Sequence, residues 1–162
     1  ARLTARALRK GMRVLDVGCG TALLALLAAR LGAAETLACD NDPMAVSRAR
    51  EMIRDNQEPG IRIFESNLLG SVGSEEKFSL VIANIVSEVL VRLLCDPRLP
   101  GLLEDDGRLI LSGIHPEGRE LVRGALLASG GVEEAWIEEE GWHACLARYG
   151  SKDSGDDTKG ER

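Results

Sequence analysis

Aromatic side chains are nearly absent from this 162-residue chain, where two Phe, two Trp and one Tyr make up 3% of the residues. Their scarcity argues against the stacking platform of a single-strand nucleic-acid binder and against an aromatic-rich sandwich core. Cysteine is sparse too: Cys19, Cys39, Cys95 and Cys145 form no close pair, so neither a zinc knuckle nor a Cys-x-x-Cys redox motif is encoded. They read as reduced, mostly buried thiols, and no metal site is expected. Basic charge is also in deficit, with 20 Lys and Arg against 26 Asp and Glu and a formal net charge of -6. A surface that coats nucleic acid is therefore not expected, and no direct nucleic-acid partner is assigned. No apolar run approaches the roughly 20 residues of a membrane span, and no signal-peptide pattern opens the sequence, so a cytoplasmic protein without a membrane partner is expected.

What remains is 44% hydrophobic, carried by Leu, Ala, Val and Ile, which suits helices packed on a buried sheet. The length fits one domain, over residues 1–149, followed by a polar, disordered tail over 150–162. The first residues read as the middle of a helix, so the chain is expected to be a fragment. Helical spacing over Arg2–Arg9 gives way at Lys10-Gly11 to an apolar strand at Val14-Leu15. Leucines from Leu23 to Leu31 make a second helix that Gly32 ends, and Thr36–Cys39 is the second strand. Asp42-Pro43 starts a third helix that runs to Pro59-Gly60. Ile61–Phe64 and Leu80–Ala83 read as strands covered on both faces, because their apolar runs are nearly unbroken. Val86–Leu94 is helical, Pro97–Asp106 an irregular crossing, and Arg108–Leu111 a strand feeding a turn at Ser112-Gly113. A helix over Glu117–Leu127 precedes Val132–Ile137 and Trp142–Tyr149, which form an antiparallel hairpin at the sheet edge. Alternating strands and helices predict an α/β fold with a doubly wound, mostly parallel sheet.

The densest chemical signal is Val14-Leu15-Asp16-Val17-Gly18-Cys19-Gly20-Thr21, a strand that enters a glycine turn and then a helix. Gly18 and Gly20 allow a sharp turn and a close ligand approach, and the following helix offers free N–H groups. Asp40, about twenty residues on and ending the second strand, sits where an acid bonds both hydroxyls of an adenosine ribose. A nicotinamide dinucleotide site is the competing reading. It is disfavoured by Leu23, which stands where Gly-x-Gly-x-x-Gly needs a small residue and would crowd helix against strand. It is disfavoured also by Asp16, whose carboxylate repels a pyrophosphate and suits a ligand with positive charge.

With Asp16, Gly18, Gly20 and Asp40 in these places, the sequence resembles class I S-adenosylmethionine methyltransferases. The runs Cys39–Ala45, Val81–Ile85 and Leu111–Ile114 look like one branch, the ribosomal protein L11 methyltransferase family (PrmA), over about Arg2–Tyr149. The resemblance implies S-adenosyl-L-methionine as cofactor, with Gly18, Asp40 and Asn84 at cofactor-contacting positions, and methyl transfer to amino groups of a protein partner, a ribosomal one. The match is to the catalytic domain. The family's N-terminal substrate-recognition domain and the threonine-bearing segment before this domain have no counterpart here. After Asn84-Ile85 the family continues Leu-Ala-Gly-Pro-Leu, where this chain has Val86-Ser87-Glu88-Val89-Leu90. A non-catalytic module that keeps the fold is the other alternative.

Asn84, at the end of the fourth strand, is the candidate catalytic residue, because its amide oxygen can accept from an acceptor amine across the crevice from Gly18. His115 and His143 read as a turn residue and an edge-strand side chain. Trp136 and Trp142 read as packing residues of the hairpin, and Glu133-Glu134 and Glu138–Glu140 as a solvated acidic face that attracts a basic protein substrate.

Overall fold

The computed structural model describes residues 2–150. Residues 151–162 of the expected polar tail lie outside the described part. Helix α1 (Arg2–Ala7) leads into β1 (Arg13–Val17), α2 (Leu23–Arg30), β2 (Glu35–Asp40), α3 (Pro43–Asp55) and β3 (Ile61–Glu65). Then follow β4 (Phe78–Asn84), α4 (Ser87–Leu94), α5 (Leu99–Leu102), β5 (Leu103–Ile114), a 3-10 turn at Pro116–Gly118, α6 (Arg119–Ala128), β6 (Gly131–Glu139) and β7 (Trp142–Tyr149). One seven-stranded sheet runs in the order β3-β2-β1-β4-β5-β7-β6. The first five strands in that order are parallel; β7 pairs antiparallel with both β5 and β6. The strand order reverses between β1 and β4, and such a switch point opens a crevice at the carboxyl ends of those strands.

Alternation along the strands sorts the core into two layers. Leu15, Val17, Leu37, Cys39, Val81, Ala83, Leu109 and Leu111 face one side, where Leu90, Leu93 and Leu94 of α4, Leu99 and Leu102 of α5, and Val122 and Leu126 of α6 cover them. On the other side Val14, Leu80, Ile82 and Ile110 meet Leu3 and Ala7 of α1 and Ala28 of α2. Ala38 meets Ala25 and Leu26 of α2 and Ala49 and Ile53 of α3 there. Asp42 caps α3 by accepting the Met44 N–H at 2.8 Å, with Pro43 in the first turn as expected. The hairpin turns on Glu140 and Gly141, both with left-handed φ of 52° and 79°, the sign pattern of a type I′ turn.

Three expectations are corrected. β3 is an edge strand, so Arg62 is exposed and Ile63 and Phe64 are only half-buried; an apolar run does not reveal which strand the topology leaves outermost. Pro97–Asp106 is not irregular throughout, since α5 occupies Leu99–Leu102 and β5 starts at Leu103 with a register shift between Phe78 and Leu80. Ser112-Gly113 lies within β5, where a second irregularity between Leu111 and Ile114 takes the place of a turn. Among the described residues, no helix is long and apolar enough to cross a membrane.

Candidate active site

Because side chains alternate along β1, Asp16 points toward α2 and away from the crevice floor. It is 1% exposed, and its Oδ2 accepts the Ala25 N–H at 3.0 Å. Ala22, the residue before α2, offers no side-chain cap, so Asp16 satisfies a free amide of the helix's first turn from below. Burial pushes its carboxyl up to about 7; the Ala25 N–H works against that shift and the nearby Asp40 charge adds to it. Asp16 thus supports the glycine loop from inside and lines neither of the clefts at the carboxyl ends.

The loop itself is built on left-handed backbone at Gly18 (φ 69°), Gly20 (φ 55°) and Ala22 (φ 60°). The N–H groups of Gly18 and Cys19 donate to the Cys39 carbonyl at 2.8 and 3.0 Å, which ties the turn to the end of β2. A Cβ at Gly18 would overlap Ile85 Cγ2, whereas a Cβ at Gly20 would meet nothing within 4 Å. Gly18 is therefore needed for packing, and Gly20 leaves the space a ligand can take. Leu23 does not crowd helix against strand, since it is 63% exposed; the close approach is made by the buried Ala22 and Ala25.

Asp40 joins the loop to the next helix. Its Oδ2 accepts the Gly20 N–H at 2.9 Å and its Oδ1 the Asp42 N–H at 3.0 Å. Each carboxylate oxygen keeps a second acceptor direction, so the pair can still receive two hydroxyls. From there a cleft of about 340 Å³ extends between Gly18, Asp40 and Asn41 on one side and Ile85, Val86, Val89 and Arg92 on the other, closed by Ser66, Asn67 and Leu68. Sequence reasoning missed that third wall and the α4 side. Ser66 and Asn67 follow the carboxyl end of β3, which is the signal that points to them. The Ser66 hydroxyl donates to the Leu68 carbonyl at 2.8 Å and accepts the Ser71 N–H at 2.9 Å, holding Leu68 at a left-handed φ of 51°. Burial pushes the Cys39 thiol up to about 12 and the Cys19 thiol higher still, so both thiols beside the loop stay protonated and unreactive.

Asn84 is exposed at the end of β4 and lines a different space from Gly18. That space is a groove of about 500 Å³ between α1 and the β6–β7 hairpin, floored by Leu3, Ile110, Ile137 and Ala144. Its lip carries Glu139, Glu140, Trp142 and His143. Arg2 reaches across it to Glu139 at 3.2 Å. Trp142 is not a packing residue: it is 54% exposed and stands edge-on to His115, ring centres 5.8 Å apart. Trp136 does pack, with its indole N–H on Glu133 at 2.9 Å and the Arg119 guanidinium over its ring. His143 lies on β7, an interior strand, and His115 precedes the 3-10 turn. Glu133 and Glu134 are not a free acidic face, because they pair with Arg123, and with Arg108 and Arg148.

The model of the family described as ribosomal protein L11 methyltransferase (PrmA) matches residues 2–149. Curated relatives of that name include one from Thermosipho africanus, 45% identical over 148 residues, which cover 91% of this chain and 53% of the relative. Another, from Acetivibrio thermocellus, is 37% identical over 86% of this chain and 44% of its own length. The chain spans about half the length of the curated relatives it matches. Among solved structures, a ribosomal protein L11 methylase from Lactobacillus delbrueckii subsp. bulgaricus superposes with a TM-score of 0.86 at 31% identity, covering 92% of this chain and 76% of that one. A putative tRNA (m1A22) methyltransferase from Streptococcus pneumoniae, at 20% identity and a TM-score of 0.76 over 95% of this chain and 71% of its own, shares the fold alone.

Proposed function

The chain belongs to the ribosomal protein L11 methyltransferase family, and on that premise we propose that it is a catalytic domain that binds S-adenosyl-L-methionine and transfers its methyl group to amino groups of a ribosomal protein. The observation that carries the reading is Asp40, which grips the Gly20 N–H and keeps acceptor directions free at the end of β2, beside a cleft walled by Gly18 and Ile85.

The residues fit the cofactor. Asp40 would take the ribose hydroxyls, Ile85, Val86 and Val89 offer an apolar wall for the flat adenine, Asn67 supplies a polar edge, and the open side of Gly20 leaves room for the rest. Bound there, the cofactor supplies a methyl carbon already activated by its sulfonium, so no nucleophile or triad is asked of the protein. What this chain's residues contribute is alignment and exclusion of water. Asp16 holds the loop from beneath. Asn84 lines the hairpin groove, one residue beyond the Val17–Ala83 pair of β1 and β4, and from there its oxygen would accept from an amine entering along that groove. The apolar groove floor disfavours a charged ammonium and so favours the neutral, nucleophilic amine. At the lip, Glu140 and the Arg2-paired Glu139 would attract a basic protein.

Incubation with radiolabelled cofactor and purified ribosomal protein L11 tests the reading. Label is expected on lysine or α-amino groups, at a lower turnover than a two-domain relative gives, since the chain spans only part of such relatives. No label on the protein, despite bound cofactor, would contradict it.

A further inference from the structure

The carboxyl ends of β4 and β5 are joined by more than their ladder. Asn84 and Ser112 stand opposite each other in register, the Ile85 N–H donates to the Ser112 carbonyl at 3.1 Å, and the Ser112 hydroxyl donates to Asn84 Oδ1 at 3.0 Å. Asn84 is exposed, so packing does not fix its amide, and this hydroxyl is the one hydrogen-bond partner of its side chain among the described residues. Gly113 completes the arrangement. It has a left-handed φ of 79°, and a Cβ there would lie 3.1 Å from Asn84 Oδ1 and 2.9 Å from the Ile85 carbonyl oxygen. Only a residue without a side chain lets β5 bend past the amide at that distance.

We propose that Ser112 is a positioning residue, which together with Gly113 sets the Asn84 amide in the orientation that meets the acceptor amine. The proposal rests on the reading of Asn84 given above. An amide oxygen has two acceptor directions. The Ser112 hydroxyl fills one, and the other stays open to the hairpin groove for an N–H of the acceptor. Without the hydroxyl, an exposed amide samples several rotamers, and its oxygen is aimed at the acceptor for a smaller fraction of the time.

Two readouts test this. The first needs neither cofactor nor acceptor: 15N relaxation of the Asn84 side-chain amide. The amide is ordered in wild type and in Ser112→Thr, which keeps the hydroxyl; in Ser112→Ala its order parameter falls below about 0.6. The second is single-turnover transfer to ribosomal protein L11. Ser112→Ala is slower by roughly tenfold, with unchanged affinity for S-adenosylhomocysteine. Ser112→Thr recovers most of the rate, and Ser112→Ala adds little in an Asn84→Ala background. Unchanged amide order and rate in folded Ser112→Ala, beside a slow Asn84→Ala, would overturn the positioning role. A wild-type rate in Asn84→Ala would remove the reading of Asn84 and the proposal with it.

Discussion

Replacing Asp16 with Asn isolates the energetics of a carboxyl group sealed beneath the glycine loop. Desolvation is the main cause of its raised pKa, from 3.8 to about 7, partly offset by the Ala25 N–H and increased by the charge of Asp40. An acid whose folded pKa lies above its unfolded one stabilises the fold relative to its charged form only while it is protonated. That contribution is full below the unfolded value near 4 and is lost as pH rises through about 7. At about 1.4 kcal/mol per unit the whole span is worth about 4 kcal/mol, of which about 2.5 kcal/mol disappears between pH 5 and pH 8. Asn keeps an oxygen for the Ala25 N–H and carries no charge. The wild-type curve of melting temperature against pH should therefore fall relative to that of Asp16→Asn by about 5–10 °C over this range. Above pH 7 the variant should be the more stable of the two. Parallel curves from pH 5 to pH 8 would show that Asp16 is solvated or permanently paired, and the burial argument would fail.

Gly18→Ala forces a Cβ into Ile85 Cγ2 on a backbone at φ 69°, so it should destabilise the chain by about 2–4 kcal/mol in urea unfolding. Ile85→Ala in the same chain should recover the part due to overlap but not the part due to φ. Ala22→Gly should instead change stability by less than about 1 kcal/mol, because relief of the left-handed φ of 60° is offset by loss of a fully buried methyl and by the greater unfolded-state freedom of glycine. Trp142→Ala, on an exposed lip, should leave melting temperature and cofactor affinity unchanged while raising the KM for a basic protein acceptor several-fold.

The parallel part of the fold was legible because its strands and helices carry strong periodic signals, and because Asp42-Pro43 and Gly32 punctuate them by known backbone chemistry. The first half of the candidate site was legible for the same reason: Gly18, Gly20 and Asp40 share one strand–turn–helix–strand unit. What could not be read depended on neighbours far away in the chain. Nothing local marks β3 as the outermost strand, or sets Ser66–Leu68 opposite Val86 and Val89. Alternation and register put Asp16 and Asp40 on the same face of the sheet; only depth separates them, Asp16 lying sealed beneath α2 and Asp40 at the very end of β2. Asn84 was placed at the correct strand end, but the exposed Trp142 and the groove it borders arise from β7 inserting between β5 and β6, a pairing that turn residues alone do not specify.

If the cleft between Gly18 and Asp40 holds S-adenosylmethionine, calorimetric titration of S-adenosylhomocysteine into the wild-type chain and into Asp40→Ala will separate the two proteins. The wild type should bind one equivalent. The variant should lose about 1.5–3 kcal/mol of affinity, the range for a hydrogen bond to a charged group, while its circular dichroism shows the fold retained. No binding to the wild type, or equal affinity in a folded Asp40→Ala, would contradict the account.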